Sequence, residues 1–190
     1  MNHRVLVTGA AGRLGSTVAA RFHAAEFDVL ATDVTDPDDV PYRFERADLR
    51  DHVEASALLD GIDAVLHFGN HAGIGPWPPQ EVFNNNVAMN ENVFQGAAEH
   101  GVGTIVFAST LQLIGSHPDT RTVTDPPRRP AFPISGGTAP APANVYALSK
   151  TVAETMLRYY AERCGIACTA VRFPQLHHHE DRYTVAAGKE

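Results

Sequence analysis

The chain has 190 residues, of which 44% are hydrophobic and 19% charged, and its formal net charge is −7. This length suits one domain with a real core and is short for two, and the composition is far from that of a disordered chain. The negative charge argues against nonspecific nucleic-acid binding, and no apolar run is long enough to span a bilayer.

The first residues lead straight into a predicted strand without a signal peptide. The two cysteines, Cys164 and Cys168, flank Gly165, where a helix is predicted to end, so no disulfide framework is expected. A reducing cytoplasm therefore fits the chain best.

Short apolar runs alternate with helical segments along the chain. The runs are continuously apolar, which is typical of parallel strands buried on both faces. The predicted strands are 4–8, 28–32, 43–47, 64–68, 104–108 and 167–173, and the predicted helices are 14–25, 51–59, 80–100 and 144–163. The pattern predicts an α/β fold with a doubly wound parallel (Rossmann) sheet of six strands in the order 3-2-1-4-5-6, with helices on both faces. The proline-rich stretch 117–142 is expected to be a long ordered loop over a site.

A glycine-rich turn, Thr8-Gly9-Ala10-Ala11-Gly12-Arg13-Leu14-Gly15, joins the first strand to the first helix. Glycines there permit a tight turn, close approach of the backbone to a pyrophosphate, and close packing of helix on sheet. Amide groups at the helix start favour the negative phosphates. Asp33 ends the next strand, where a carboxylate can accept from the ribose hydroxyls of an adenosine. An acidic surface loop that merely opens at Asp33 is the alternative interpretation.

Tyr146 and Lys150 lie four residues apart in the last predicted helix, on one helical face. An ammonium at that distance is expected to lower the pKa of the tyrosine toward neutrality. Such a tyrosine can exchange a proton with an alcohol oxygen while a hydride moves to or from a nicotinamide. Taken alone, the spacing is explained better by an ordinary surface pair.

Together these motifs resemble the extended short-chain dehydrogenase/reductase family of sugar-nucleotide epimerases, dehydratases and sugar dehydrogenases, over residues 4 to 175. The turn matches T-G-x-x-G-x-x-G, and 142–150 matches P-x-x-x-Y-x-x-S-K. Further similar segments are Asp48-Leu49, His67-Phe68-Gly69, Asn86-Val87, Phe107–Thr110 with Gly115, and Arg172–Gln175. Uronate dehydrogenase-like and sugar-epimerase-like members are the most similar.

The resemblance implies a catalytic set of Thr110, Tyr146 and Lys150. The cofactor-binding residues that it implies are Gly9, Gly12, Arg13, Leu14, Gly15, Asp33, Asp48, Leu49, Phe68, Gly69, Asn86, Tyr146 and Lys150. It also implies a sugar, uronate or sugar-nucleotide substrate and a homodimer formed through helices 80–100 and 144–163. NAD is expected over NADP, because Asp33 would repel a 2′-phosphate, although Arg13 would offset part of that repulsion.

Family members continue beyond the sixth strand into a lobe that holds the sugar. We therefore expect residues 1–175 to form the dinucleotide-binding domain with the catalytic residues, and 176–190 to be a tail that begins a missing substrate lobe. His177–His179 stand beside carboxylates, but adjacent side chains point in different directions, so no metal is predicted. Two hypotheses remain: an active oxidoreductase or epimerase, and an NAD-binding module or partner subunit without turnover.

Overall fold

Strands and helices alternate along residues 3–72, 75–115 and 133–174, which are the residues that this computed structural model describes. The strands are β1 (Arg4–Thr8), β2 (Asp28–Asp33), β3 (Arg43–Arg46), β4 (Ala64–His67), β5 (Thr104–Thr110) and β6 (Ala167–Phe173). The α-helices are α1 (Arg13–Ala24), α2 (His52–Ala57), α3 (Pro79–Glu99) and α4 (Val145–Cys164), and a 3-10 helix follows β5 at Leu111–Ile114.

The strands form one sheet in the order β3-β2-β1-β4-β5-β6, and every neighbouring pair is parallel. The predicted fold class and strand order are therefore confirmed. The order reverses between β1 and β4, whose pairing sets Thr8 opposite His67 at the carboxyl ends of the strands. In open α/β sheets the ligand crevice lies outside this point.

Most element boundaries agree with the predicted ones to within two residues. Strand β5 is longer than predicted, because Ser109 and Thr110 continue to pair with Arg172 and Phe173 of β6. This extension carries the predicted catalytic hydroxyl to the very end of the strand.

The sheet is covered on both faces, which explains why its strands are continuously apolar. Val5 and Val7 belong to a buried cluster that includes Ala19 of α1. Leu6, between them, belongs to a second cluster with Phe94 of α3 and Leu157 of α4. Successive residues of one strand thus enter two separate cores, as the alternation of side chains across a strand requires.

Local capping fixes the limits of α4, the helix that presents Tyr146 and Lys150. The side-chain oxygen of Asn144 accepts from the amide of Ala147 at 2.7 Å and caps the first turn. Gly165 ends the helix, as predicted, in the left-handed conformation with φ 72°.

Several predicted features lie outside the described residues: most of the 117–142 loop, Gln175, His177–His179 and the rest of the tail. The division into 1–175 and 176–190 therefore stays a prediction. In the described ranges no helix is long and apolar enough to cross a membrane. The same ranges hold no group of three or more histidine, cysteine or acidic residues placed to bind a metal ion.

Candidate active site

The glycine turn lies at the carboxyl end of β1, pressed against the segment that follows β4. Gly9 has φ +68°, and a Cβ placed on it would lie 2.7 Å from the backbone nitrogen of Gly69. A Cβ on Gly15 would lie 2.1 Å from the carbonyl oxygen of Gly9. Only glycine fits at these two positions, so the spacing in the sequence reflects close backbone packing.

A buried side-chain relay joins the ends of β1 and β4. The Oγ1 atom of Thr8 accepts from the amides of Phe68 and Gly69 at 3.1 and 3.0 Å, so its own hydrogen is directed to Nδ1 of His67 at 2.7 Å. Nε2 of His67 then donates to Oδ1 of Asn90 at 2.9 Å. Burial lowers the pKa of His67 to about 3, so the ring is neutral.

Asp33 stands at the end of β2 beside the glycine turn. One carboxylate oxygen accepts from the amide of Ala11 at 3.0 Å, and the other accepts from the amide of Val34 at 2.7 Å. These backbone bonds fix the carboxylate at the tip of the strand, where the sequence predicted a ribose-binding group.

A cleft of about 760 Å³ opens at this edge of the sheet. Of the predicted cofactor residues, it is lined by Gly9, Gly12, Asp33, Asp48, Leu49, Phe68 and Gly69. Lining residues that the sequence analysis did not identify include Arg46, Arg50, Asn70, His71, Trp77 and Met89. Arg13, Leu14 and Gly15 form the start of α1 beside the turn.

Asp48 and Leu49 form one wall of the cleft. The guanidinium of Arg50 donates to both carboxylate oxygens of Asp48, and this hydrogen bonding lowers the pKa of that carboxyl below its ordinary value. Leu49 is buried, and its Cδ1 would lie 2.8 Å from a Cβ placed on Gly69. The side-chain amide of Asn92 donates to the carbonyls of Leu49 and Arg50 and so holds this segment in place.

Asn86 is buried behind the cleft. Its Oδ1 accepts from the amide of His71 at 2.8 Å, and its Nδ2 donates to Oγ of Ser149 at 3.1 Å. Asn86 therefore ties the segment after β4 to both α3 and α4.

Thr110, Tyr146 and Lys150 come together where β5 meets the first turns of α4. A hydrogen bond joins the side chains of Thr110 and Tyr146. The Thr110 oxygen also accepts from the amide of Gln112 at 3.2 Å. Two elements far apart in sequence thus bring a hydroxyl, a phenol and an amine to one end of the sheet.

The expected lowering of the Tyr146 pKa was wrong for this structure. Burial raises the pKa of Tyr146, and the hydrogen bond from Thr110 opposes that rise without overcoming it. The Lys150 nitrogen lies 5.8 Å from the centre of the Tyr146 ring and donates instead to the Ala108 carbonyl and to Asn70, at 2.8 and 2.7 Å. Burial also lowers the pKa of Lys150 to about 7, so its charge is incomplete at neutral pH.

Ser109, beside Thr110, points away from this group. Its hydroxyl donates to Glu154 of α4 at 2.6 Å, and Glu154 pairs with Arg172 of β6 at 2.7 Å. Arg172 also donates to the carbonyl of Thr138 at 2.7 Å. The ion pair therefore holds the segment before α4 against the sheet, close to the predicted catalytic residues.

Sequence analysis did not identify Asn70 or the Thr8–His67–Asn90 relay. The signal for Asn70 was available, since it is a polar residue three positions after the buried strand β4, at the ligand edge of the sheet. The relay has no comparable signal, because its members come from three elements.

The sheet order, the backbone turn at Gly9 and the carboxylate at the end of β2 define a dinucleotide-binding α/β domain. A model of the NAD dependent epimerase/dehydratase family matches residues 5–178. The chain belongs to this NAD-dependent family.

Curated relatives and solved structures agree with this assignment. The chain is 29% identical over 187 residues to the NAD-dependent glucose-6-phosphate dehydrogenase of Haloferax volcanii, covering 94% of this chain and 71% of that protein. It is 29% identical over 174 residues to the uronate dehydrogenase of Pseudomonas syringae pv. tomato, covering 90% and 58%. The structure of UDP-glucose 4-epimerase from Brucella ovis in complex with NAD matches with a TM-score of 0.76 and 25% identity, covering 90% and 51%. The chain thus spans between about half and 71% of these proteins.

Proposed function

We propose that the chain carries the cofactor-binding and catalytic residues of an oxidoreductase or epimerase that acts on a hydroxyl of a sugar, uronate or sugar nucleotide. The observation that carries the proposal is the hydrogen-bonded Thr110–Tyr146 pair, with the amine of Lys150 behind it. This group lies at the same end of the sheet as the dinucleotide cleft, so a phenol and a cofactor site are adjacent.

The residues present fit a dinucleotide. The backbone at Gly9 and Gly12 is open to a pyrophosphate, and the Asp33 carboxylate is placed for ribose hydroxyls. Phe68 and Gly69 would flank the cofactor, and Leu49 would contact its adenine. Bound NAD would supply the acceptor or donor of a hydride.

In this proposal Tyr146 moves the proton. Thr110 and Tyr146 hold the substrate oxygen between their hydroxyls, and the proton passes between that oxygen and the phenolic oxygen. Burial favours the protonated phenol, so the residue is set to donate when a carbonyl is reduced and must first be deprotonated when an alcohol is oxidised. The amine of Lys150 supports the deprotonated state when it is charged.

The substrate class rests on the named relatives, which include a glucose-6-phosphate dehydrogenase, a uronate dehydrogenase and a UDP-glucose epimerase. A panel of hexoses, hexose phosphates, uronates and sugar nucleotides tests it. Oxidation is followed by absorbance of NADH, and redox-neutral epimerisation by chromatography of the sugars. Binding of NAD by calorimetry without turnover of any substrate would show a binding domain instead.

Cofactor preference is tested separately. Asp33→Asn removes the charge that would repel a 2′-phosphate, so the NAD-to-NADP affinity ratio should fall by roughly tenfold or more. Equal binding of NADP by the unaltered chain would contradict the assigned role of Asp33.

We also propose a homodimer through α3 and α4. Leu148 and Tyr159 lie on one face of α4 and are 42% and 57% exposed, which is high for large apolar side chains. A second copy of the same helices would cover them. Light scattering at tens of micromolar protein should give twice the chain mass, and Tyr159→Asp should shift it toward the monomer. A monomer in the unaltered chain would contradict the proposal.

A further inference from the structure

Lys150 is buried, with 3% of its surface exposed, and it carries an amine in an apolar setting. Its nitrogen lies 4.6 Å from the centre of the Phe107 ring and donates to two oxygens, the carbonyl of Ala108 and Oδ1 of Asn70. Both acceptors are neutral. A buried ammonium without a carboxylate is costly, so these two dipoles and the ring must stabilise whatever charge it carries.

No described titratable group supplies the missing countercharge. On α4, Tyr146 is a neutral phenol one turn before Lys150, and Glu154, one turn after it, is taken by Arg172. From β4, His67 is neutral. The ring of His71, in the segment after β4, hydrogen-bonds to Asn85 and packs against Trp77.

Asn70 is rigidly oriented toward the amine. Its Nδ2 donates to the carbonyl of Gly69 at 2.7 Å, and its backbone amide donates to the carbonyl of Phe68 at 2.9 Å. This arrangement assigns the oxygen rather than the nitrogen of the amide to the side facing Lys150. Because Thr8 holds the amide of Gly69, the segment is also fixed to the glycine turn.

We propose that Asn70 is the positioning residue of Lys150: its side-chain oxygen holds the lysine nitrogen in place and links the catalytic group to the cofactor-binding turn. The proposal deepens the proposed function and rests on it for its catalytic meaning. Asn70 also lines the cleft, so it stands between the dinucleotide site and the amine. Thr8, Gly69, Asn70 and Lys150 then form one continuous chain of hydrogen bonds.

Replacing Asn70 should change the charge state of Lys150 in a direction set by the replacement. Asn70→Ala removes an acceptor that favours the ammonium, so the pKa of Lys150 should fall below about 7. Asn70→Asp places a carboxylate beside the nitrogen, so the pKa should rise by about 1 unit or more. The two shifts have opposite signs, and either variant alone tests the proposal.

The chain allows a direct measurement, because its only lysines are Lys150 and Lys189. Protein grown with lysine labelled with ¹³C at Cε gives two signals whose shifts report protonation of the amines. Lys189→Arg leaves one signal, and Lys150→Met identifies it. Matched substitutions at Asn84, an exposed asparagine on α3, should leave the Lys150 titration unchanged.

Titration of Lys150 at the parent pH in either Asn70→Ala or Asn70→Asp would overturn the proposal. So would a shift of equal size in the Asn84 controls. The catalytic meaning is read from the pH profile of sugar oxidation: because a charged Lys150 supports deprotonated Tyr146, the rise of oxidation with pH should move upward in Asn70→Ala, in which the lysine loses its charge at lower pH. If the signal moves but no substrate is turned over, the proposed function fails while the placement of Asn70 stands. If turnover is present and the signal does not move, the inference about Asn70 fails alone.

Discussion

The glycine turn at the end of β1 and the proposed catalytic side chains at the end of β5 lie along one edge of the sheet, but different forces shape them. The turn is defined by backbone contacts so close that Gly9 and Gly15 have no space for a Cβ. The proposed catalytic group is defined by three side chains, and burial shifts the pKa values of two of them, Tyr146 and Lys150. Steric fit therefore governs the glycine turn, and electrostatics governs the side chains at the end of β5. Substitutions in the two regions should therefore change different properties of the protein.

The largest effect is expected in the catalytic region. Tyr146→Phe keeps the ring packing and removes only the transferable proton, so turnover should fall by about 10²- to 10⁴-fold while NAD affinity stays unchanged. Steady-state assays and calorimetry on the same protein measure both quantities. A parallel loss of NAD affinity would show that Tyr146 also contributes to cofactor binding. Full activity would refute the role of Tyr146 in proton transfer.

A smaller effect, visible in stability, is expected from Lys150→Met. The folded pKa of Lys150 is about 7 and its ordinary value is 10.5, so between these values the unfolded chain binds more protons. The free energy of unfolding should therefore rise with pH across this window, and below it the folded chain carries the whole cost of the buried charge. Methionine removes the charge with little change in volume, so at about pH 6 the variant should be the more stable by a few kcal/mol.

Denaturant unfolding at a series of pH values measures this difference. The gap between Lys150→Met and the parent should close as the pH approaches that of free lysine. A gap that is independent of pH would show that packing, rather than charge, distinguishes the two proteins.

Adding a single methyl group to the glycine turn should destabilise the protein. Gly9→Ala forces a Cβ against the backbone of Gly69 in a left-handed conformation, which should cost roughly 1–3 kcal/mol and weaken NAD binding at any pH. Gly136→Ala is the matched control, because nothing described lies within 4 Å of its Cβ. Equal thermal stability of the two variants would contradict the tight contact.

The different origins of the two regions also explain what the sequence could predict. Strand order and the glycine turn follow from apolar runs and from residue spacing, which are local, and Asp33 follows because it ends a strand. Helical spacing likewise brought Tyr146 and Lys150 together. It could not show what the lysine nitrogen reaches, since Asn70 and the Ala108 carbonyl belong to other elements.

For the same reason, the sequence analysis predicted the wrong direction for the shift in the pKa of Tyr146. Its determinants are burial and a hydrogen bond from Thr110, and neither is encoded in the four-residue spacing. Asn86 was predicted among the cofactor-binding residues from its motif, but the structure shows it bonded to His71 and Ser149 in the wall behind the cleft. Motifs record that a residue belongs to a site, and only the packed fold shows which group it contacts.

The hydrogen bonds from Thr8 through His67 to Asn90 should respond to pH differently from the amine of Lys150. Because His67 takes up a proton only near pH 3, the hydrogen bonds that join β1 to β4 keep one direction through mild acid and alkali alike. Lys150, a short distance away, changes its charge near neutrality. A fall in pH through neutrality would therefore change the charge of Lys150 while leaving the hydrogen bonds from Thr8 through His67 to Asn90 unchanged.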